Sequence, residues 1–183
     1  GEERDVTVLF SDIRGFTAMS EKMKPKEVVS TLNSYFSEMI DIIFKFDGTL
    51  DKIVGDELMV VFGAPIARDN DAERAVQTAI GMVESLKKFN DRRVKKGKVP
   101  INAGIGINKG KVISGNIGSK DQMDYTVIGD TVNLGARLCS FAGPLKIIVS
   151  KSVKDEIGDN YKTRKLEPIK VKGCLLYTSD AAD

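Results

Sequence analysis

The hydrophobic positions along the chain change period several times, and each change marks an element. DVTVLFSD, residues 5–12, is an apolar run rich in β-branched and aromatic residues, the pattern of a buried strand. Between Lys26 and Phe46 the period lengthens: Val28, Val29, Leu32, Phe36, Met39, Ile40, Ile43 and Phe44 recur at helical spacing behind Pro25. GTLDKIVGDELMVVFGAP, residues 48–65, holds two short apolar runs on either side of Gly55-Asp56, which predicts a strand hairpin. Asn70 with Glu73 can cap a second helix, carried by Ala75, Val76, Ala79, Ile80, Val83 and Leu86 to about Phe89 and ended by the polar NDRRVKKGK. INAGIGIN and GKVISGNIG predict two further strands joined through Lys109 and Gly110. TVIGDTVNLGARLCSFAG predicts a short strand and a helix closed by Gly143.

The resulting order, β-α-β-β-α-β with an added β-α-β tail, predicts an α+β ferredoxin-like sandwich with helices on one face of a mainly antiparallel sheet. At 183 residues one domain is expected. LLYTSDAAD, residues 175–183, breaks the preceding pattern, so the domain is taken as 1–173 and 174–183 as a tail foreign to it. On that reading a native last strand after Lys172 or Gly173 is missing or replaced.

Charge and composition narrow the functions. A net charge of +2 gives no basic surface for a nucleic-acid backbone. No run of about 20 apolar residues is present to span a bilayer, and GEERDVTV lacks the layout of a secretion signal, so a soluble, cytoplasmic fragment without membrane contact is expected. Cys139 and Cys174 have no partners at metal-ligand spacing, which suits reduced thiols. There is no histidine, so the usual general base near neutral pH is missing.

Two acids stand out. Asp12 ends the first strand and Asp56 lies at the hairpin turn; strands one and two are neighbours in this topology, so the two can meet. Two carboxylates and a backbone carbonyl, that of Ile13, suit Mg²⁺ or Mn²⁺ alongside substrate phosphates. On spacing alone, plain turn and cap chemistry is the commoner account of the same residues. Asn133 and Arg137, four apart, share one face of the last predicted helix, as any polar helix face would.

FSDIRGFT, DKIVGDELMVVFG, GINKGKVISGNIG and DYTVIGDTVNLGARL occur in this order, and through them the chain, from Val6 to about Gly173, resembles the catalytic domains of class III adenylate and guanylate cyclases. The resemblance implies a ferredoxin-like core and a reaction in which the ribose 3′-hydroxyl of a nucleoside triphosphate attacks the α-phosphorus and pyrophosphate leaves. It implies two Mg²⁺ or Mn²⁺ ions on Asp12, Ile13 and Asp56. It further implies a triphosphate cradle at Gly15, Phe16 and Thr17, ribose positioning by Asn133 and transition-state stabilisation by Arg137. Lys52 and Thr126 fall at the base-selecting positions, with Lys120, less firmly aligned, near the terminal phosphates. Lysine is donor-only and meets adenine N1, while a threonine hydroxyl can accept from the N6 amino group, so the pair points to ATP. Guanylate cyclases usually carry an acid and a cysteine there, whereas Lys52 with Thr126 matches the bacterial, bicarbonate-responsive subgroup. The family builds its sites across a dimer, acids from one chain and Lys, Thr, Asn and Arg from the other, so a homodimer with two shared sites is expected.

The expected activity is thus that of an adenylate cyclase. A guanylate cyclase is the nearest alternative. A non-catalytic nucleotide-sensing or dimerisation module is the alternative of another class, against which stands the presence of Asp12, Asp56, Asn133 and Arg137 together. A diguanylate cyclase fits less well, because VGDEL lacks that family's double glycine.

Overall fold

A computed structural model describes residues 1–167 together with the backbone of Leu176–Ser179. Cys174 and the expected strand start after Lys172 or Gly173 lie outside the described residues. β1 (Glu2–Ile13) is followed by a short α1 (Phe16–Glu21) and the long α2 (Pro25–Lys45). The hairpin is β2 (Thr49–Val54) and β3 (Glu57–Phe62), after which come α3 (Asp71–Lys95), β4 (Ala103–Ser119) and β5 (Gln122–Ile128). α4 (Asp130–Phe141), β6 (Ile147–Ser150), α5 (Lys151–Ile157), β7 (Thr163–Lys165) and β8 (Leu176–Ser179) complete the order. The sheet runs β2-β3-β1-β4-β6-β8-β7, with β5 paired to the far half of β4. Only the β4–β6 pairing is parallel among the described ladders. The backbone of Leu176–Ser179, within the segment set aside from sequence as foreign, pairs with both β6 and β7.

Strand alternation sorts β1 onto two faces. Leu9 and Ile13 join a core with Tyr35, Met39 and Ile43 of α2, Ala75, Ala79 and Leu86 of α3, and Val153 and Ile157 of α5. Val6, Val8 and Phe10 join a second core with Met59, Val61, Val112, Val127 and Cys139, covered by Val132 and Ala136 of α4. The ferredoxin-like core is present, but its helices do not all lie on one face: α4 covers the other. Its approach is set by glycines. A Cβ on Gly106 would run into the α4 backbone at Leu138 and Cys139, and one on Gly135 would lie 2.8 Å from Val8 Cγ2.

Several boundaries differ from the sequence reading. INAGIGIN and GKVISGNIG are one strand, because Lys109-Gly110 continues the ladder with β1 at Thr7 and Val6, and Gly110 gives room to Thr131 at the start of α4. α3 continues past Phe89 to Lys95. Asn90 and Arg93 are buried there because they satisfy the chain leading into β4. Asn90 donates to Ile101 O and accepts from Ile101 N, both at 2.7 Å, and Arg93 donates to Val99 O at 2.8 Å. Polarity alone therefore misplaced the helix end. Asn70 precedes α3 without a side-chain cap, its Oδ1 accepting instead from Arg74 Nε at 3.1 Å. α4 stops at Phe141 with Ala142 extended, so Gly143 does not close it.

Candidate active site

The acid pair forms where β1 ends against the β2–β3 turn. Gly55, at φ 61°, takes the left-handed conformation that lets a two-residue turn close between Val54 and Glu57. That turn carries Asp56 to the end of β1, where the Ile13 N–H donates to Asp56 Oδ2 at 3.1 Å. Asp12, on the α4 face of β1 with Val8 and Phe10, neighbours Asp56 there. Burial and then Asp56 push the Asp12 carboxyl up to about 7, against the lowering influence of Arg14. Glu57 is raised too, by burial and by Asp56. Sequence analysis brought Asp12 and Asp56 together, and the structure does so as well.

Neighbouring carboxylates of like charge favour a proton or a cation between them. The donor set, two carboxylates with the backbone of Ile13 beside them, is hard oxygen chemistry suited to Mg²⁺ or Mn²⁺ completed by phosphate and water. Among the described residues no cluster of three or more acid, thiol or imidazole ligands occurs, so side chains would give a cation here two ligands at most.

Gly15, at φ 69°, turns the chain from β1 into α1, and no side chain caps that helix. The first N–H groups of a helix have no intrahelical acceptor, which leaves the backbone at Phe16 and Thr17 available to an anion. Phe16 also packs against the main core, and Gly15 and Thr17 are exposed. Arg14 anchors the same segment by donating to Cys139 O in α4. The Cys139 thiol is buried and pushed up to about 12, chiefly by desolvation, so it is a packing group.

The pair expected to select the base meets elsewhere on the sheet. Lys52 lies on β2 and Thr126 on β5, two strands that do not pair, yet both reach Asp51. The Thr126 hydroxyl donates to the two Asp51 oxygens at 2.9 and 2.8 Å, and Lys52 Nζ stands 3.7 Å from Asp51 Oδ1. Asp51 was not singled out from sequence. Its signal was an acid inside an apolar strand pattern, visible only once β5 is known to cover it.

Asn133 and Arg137 share the exposed face of α4, and among the described residues neither side chain makes a hydrogen bond or ion pair. Lys120 sits in the two-residue turn between Ser119 and Gln122, at the exposed tip of the β4–β5 hairpin. Within one chain no described hydrogen bond or ion pair links the acid pair to Lys52, Thr126, Asn133 or Arg137. The acid pair thus forms one cluster and Lys52 with Thr126 another, while Asn133, Arg137 and Lys120 join neither through a described hydrogen bond or ion pair.

Residues 1–179 match the family described as adenylate and guanylate cyclase catalytic domain. The chain belongs to this family. It is 37% identical over 179 residues to an adenylate cyclase of Anabaena cylindrica, a match covering 93% of this chain and 35% of that protein. The crystal structure of an adenylyl cyclase from P. aeruginosa superposes with a TM-score of 0.93 at 37% identity, covering 97% of this chain and 94% of that one. A guanylyl cyclase crystal structure superposes at 0.90 with 39% identity, covering 98% and 92%. The chain is therefore similar to nucleotide cyclases of both base preferences, and it spans about a third of the length of the Anabaena relative. Among the described residues no helix is long and apolar enough to cross a membrane.

Proposed function

We propose that this cyclase-family domain, residues 1–173 by the sequence reading, is a cytoplasmic adenylate cyclase. It converts ATP to 3′,5′-cyclic AMP and pyrophosphate at two sites shared across a homodimer. The observation that carries the base assignment is the meeting of Lys52 and Thr126 on one buried carboxylate, since it makes two residues from unpaired strands a single recognition unit. A relative of each preference is similar overall, so the base-reading residues and not the overall likeness favour ATP.

Asp12 and Asp56, with the Ile13 backbone, would hold two Mg²⁺ or Mn²⁺ ions, which supply acidification of the ribose 3′-hydroxyl and charge neutralisation on the phosphates. The backbone at Gly15, Phe16 and Thr17 receives the triphosphate, with Lys120 a further cation for its end. Lys52 donates to adenine N1 and Thr126 accepts from the 6-amino group. Asn133 orients the ribose. Arg137, whose planar fork of donors can grip two phosphoryl oxygens, stabilises charge that grows on the α-phosphate as the reaction proceeds. Alignment and charge stabilisation dominate phosphoryl transfer, so a chain without histidine is adequate to the reaction.

Asn133 and Arg137, exposed on α4 with no described partner in their own chain, support the dimer, in which one chain's α4 face serves the other's acids. Apolar side chains on the β4–β5 hairpin, Ile117, Met123, Tyr125 and Ile128, are exposed and offer surface for such an interface. The test is direct: purified protein with Mn²⁺ and either triphosphate should form cyclic AMP from ATP in clear excess over cyclic GMP from GTP. Preference for GTP would replace this reading with that of a guanylate cyclase.

A further inference from the structure

Asp51 has no role in the chemistry just described, yet it lies at the centre of the base-reading pair. Its side chain is 5% exposed, a depth at which an acid is costly unless its oxygens are satisfied. The backbone explains how it reaches both partners. In the β2–β3 ladder Leu50 faces Val60 and Lys52 faces Met59, so Asp51 is the extra residue of a bulge. Because Val60 and Met59 point to opposite faces, the bulge turns Lys52 away from the Leu50 side and toward the face carrying Met59, Val127 and α4. A regular strand would leave Lys52 on the same side as Leu50.

The hydrogen bonds then settle polarity. An ionised carboxylate only accepts, so the single hydroxyl proton of Thr126 is committed to Asp51, at 2.9 and 2.8 Å from its oxygens. What Thr126 retains for any third group is a lone pair. A threonine hydroxyl without this partner rotates to donate or accept as its neighbour requires, and does not discriminate. Lys52, 3.7 Å from the same carboxylate, presents donors alone. The pair therefore displays one acceptor and one donor in fixed order. Adenine offers a 6-amino donor beside the N1 acceptor and fits; guanine sets its O6 acceptor against the lone pair and its N1–H against the ammonium.

We propose that Asp51 is the positioning residue that sets purine specificity, by holding the Thr126 hydroxyl as an obligate acceptor and Lys52 beside it. This rests on the adenylate cyclase reading above. Asp51 touches no substrate and acts through Thr126 and Lys52.

The test is Asp51→Asn in the whole chain, with kcat/KM measured for ATP and for GTP with Mn²⁺ beside the wild type. The amide of Asn can donate to or accept from Thr126, which restores both hydroxyl polarities at almost unchanged size. The ATP-over-GTP ratio should fall at least about tenfold, about what one well-placed polar contact to a base contributes to discrimination. Thr126→Val should lower the ratio similarly, and adding Asp51→Asn to it should change the ratio no further. A loss shared equally by both triphosphates, a ratio that falls less than tenfold, or additive effects in the double variant would each overturn the proposal. Should Asp51→Asn not fold, as read by thermal melting, an unchanged ratio in Thr126→Val overturns it instead. Wild-type preference for GTP overturns the adenylate reading itself, whereas wild-type preference for ATP with an indifferent Asp51→Asn leaves that reading intact and removes only the role of Asp51.

Discussion

The molecule holds two buried or half-buried groups of charge that solve the same problem in opposite ways. Around Asp51 one carboxylate is satisfied by a hydroxyl and an ammonium, all within one chain. At the end of β1, Asp12 and Asp56 face each other with Glu57 near, and burial followed by Asp56 raises Asp12. The first cluster pairs its charges within the chain and, on the proposed function, discriminates between bases. The second sets acid against acid, with Arg14 as an opposing influence on Asp12, and on the proposed function metal and substrate complete it. Preorganised recognition and deferred neutralisation are therefore visible as a difference in charge balance before any substrate is considered.

The largest expected effect breaks the second cluster. Asp56→Ala removes one of two carboxylates and should lower turnover by on the order of 10³-fold or more with either metal. Mixed with Arg137→Ala, it should recover about a quarter of wild-type activity, since random exchange makes about half the dimers mixed and each holds one intact site. A mixture that stays inactive while both variants fold and exchange subunits would refute the shared site. Next, Arg137→Ala alone should lower kcat by about 10²–10³-fold with little change in KM, because its contact strengthens in the transition state. Steady-state kinetics with ATP separates the two parameters.

The smallest effect sharpens the contrast in charge. The folded value of Asp12, about 7, lies above its ordinary 3.8, so the native state holds that proton more tightly than the unfolded chain. The stability this group contributes is full below about 4 and is lost as pH rises through about 7. In metal-free protein the melting temperature of the wild type should therefore fall relative to Asp12→Asn across that range. Above it, Mn²⁺ should raise the wild type and leave Asp12→Asn nearly unchanged. Parallel melting curves for the two proteins, with and without metal, would show that the acids are not electrostatically opposed.

Sequence reading recovered these elements unevenly, for physical reasons. Hydrophobic period located β1, α2 and the β2–β3 hairpin, because a buried strand and a one-sided helix leave periodic marks. It ended α3 too early at Asn90, whose amide serves as a partner for the Ile101 backbone, a role that polarity conceals. It split β4 at Lys109-Gly110, where glycine marks close approach of α4 rather than a turn. It placed all helices on one face, because an amphipathic pattern tells that α4 is buried and not which side of the sheet buries it. Asp12 and Asp56 were legible through the neighbourhood of their strands, while Asp51 was not.

By itself the sequence determined the order of most strands and helices, the family to which the chain belongs, and the chemical kinds available at each position. Those are local or additive properties, carried by hydrophobic period and by blocks of residues in order. The tertiary structure alone decided that β5 covers β2 closely enough for Thr126 to meet Asp51, and that a bulge turns Lys52 to the same side. These depend on strand register and on through-space electrostatics between residues distant in sequence, up to 75 apart for Thr126 and Asp51, and no local pattern encodes them.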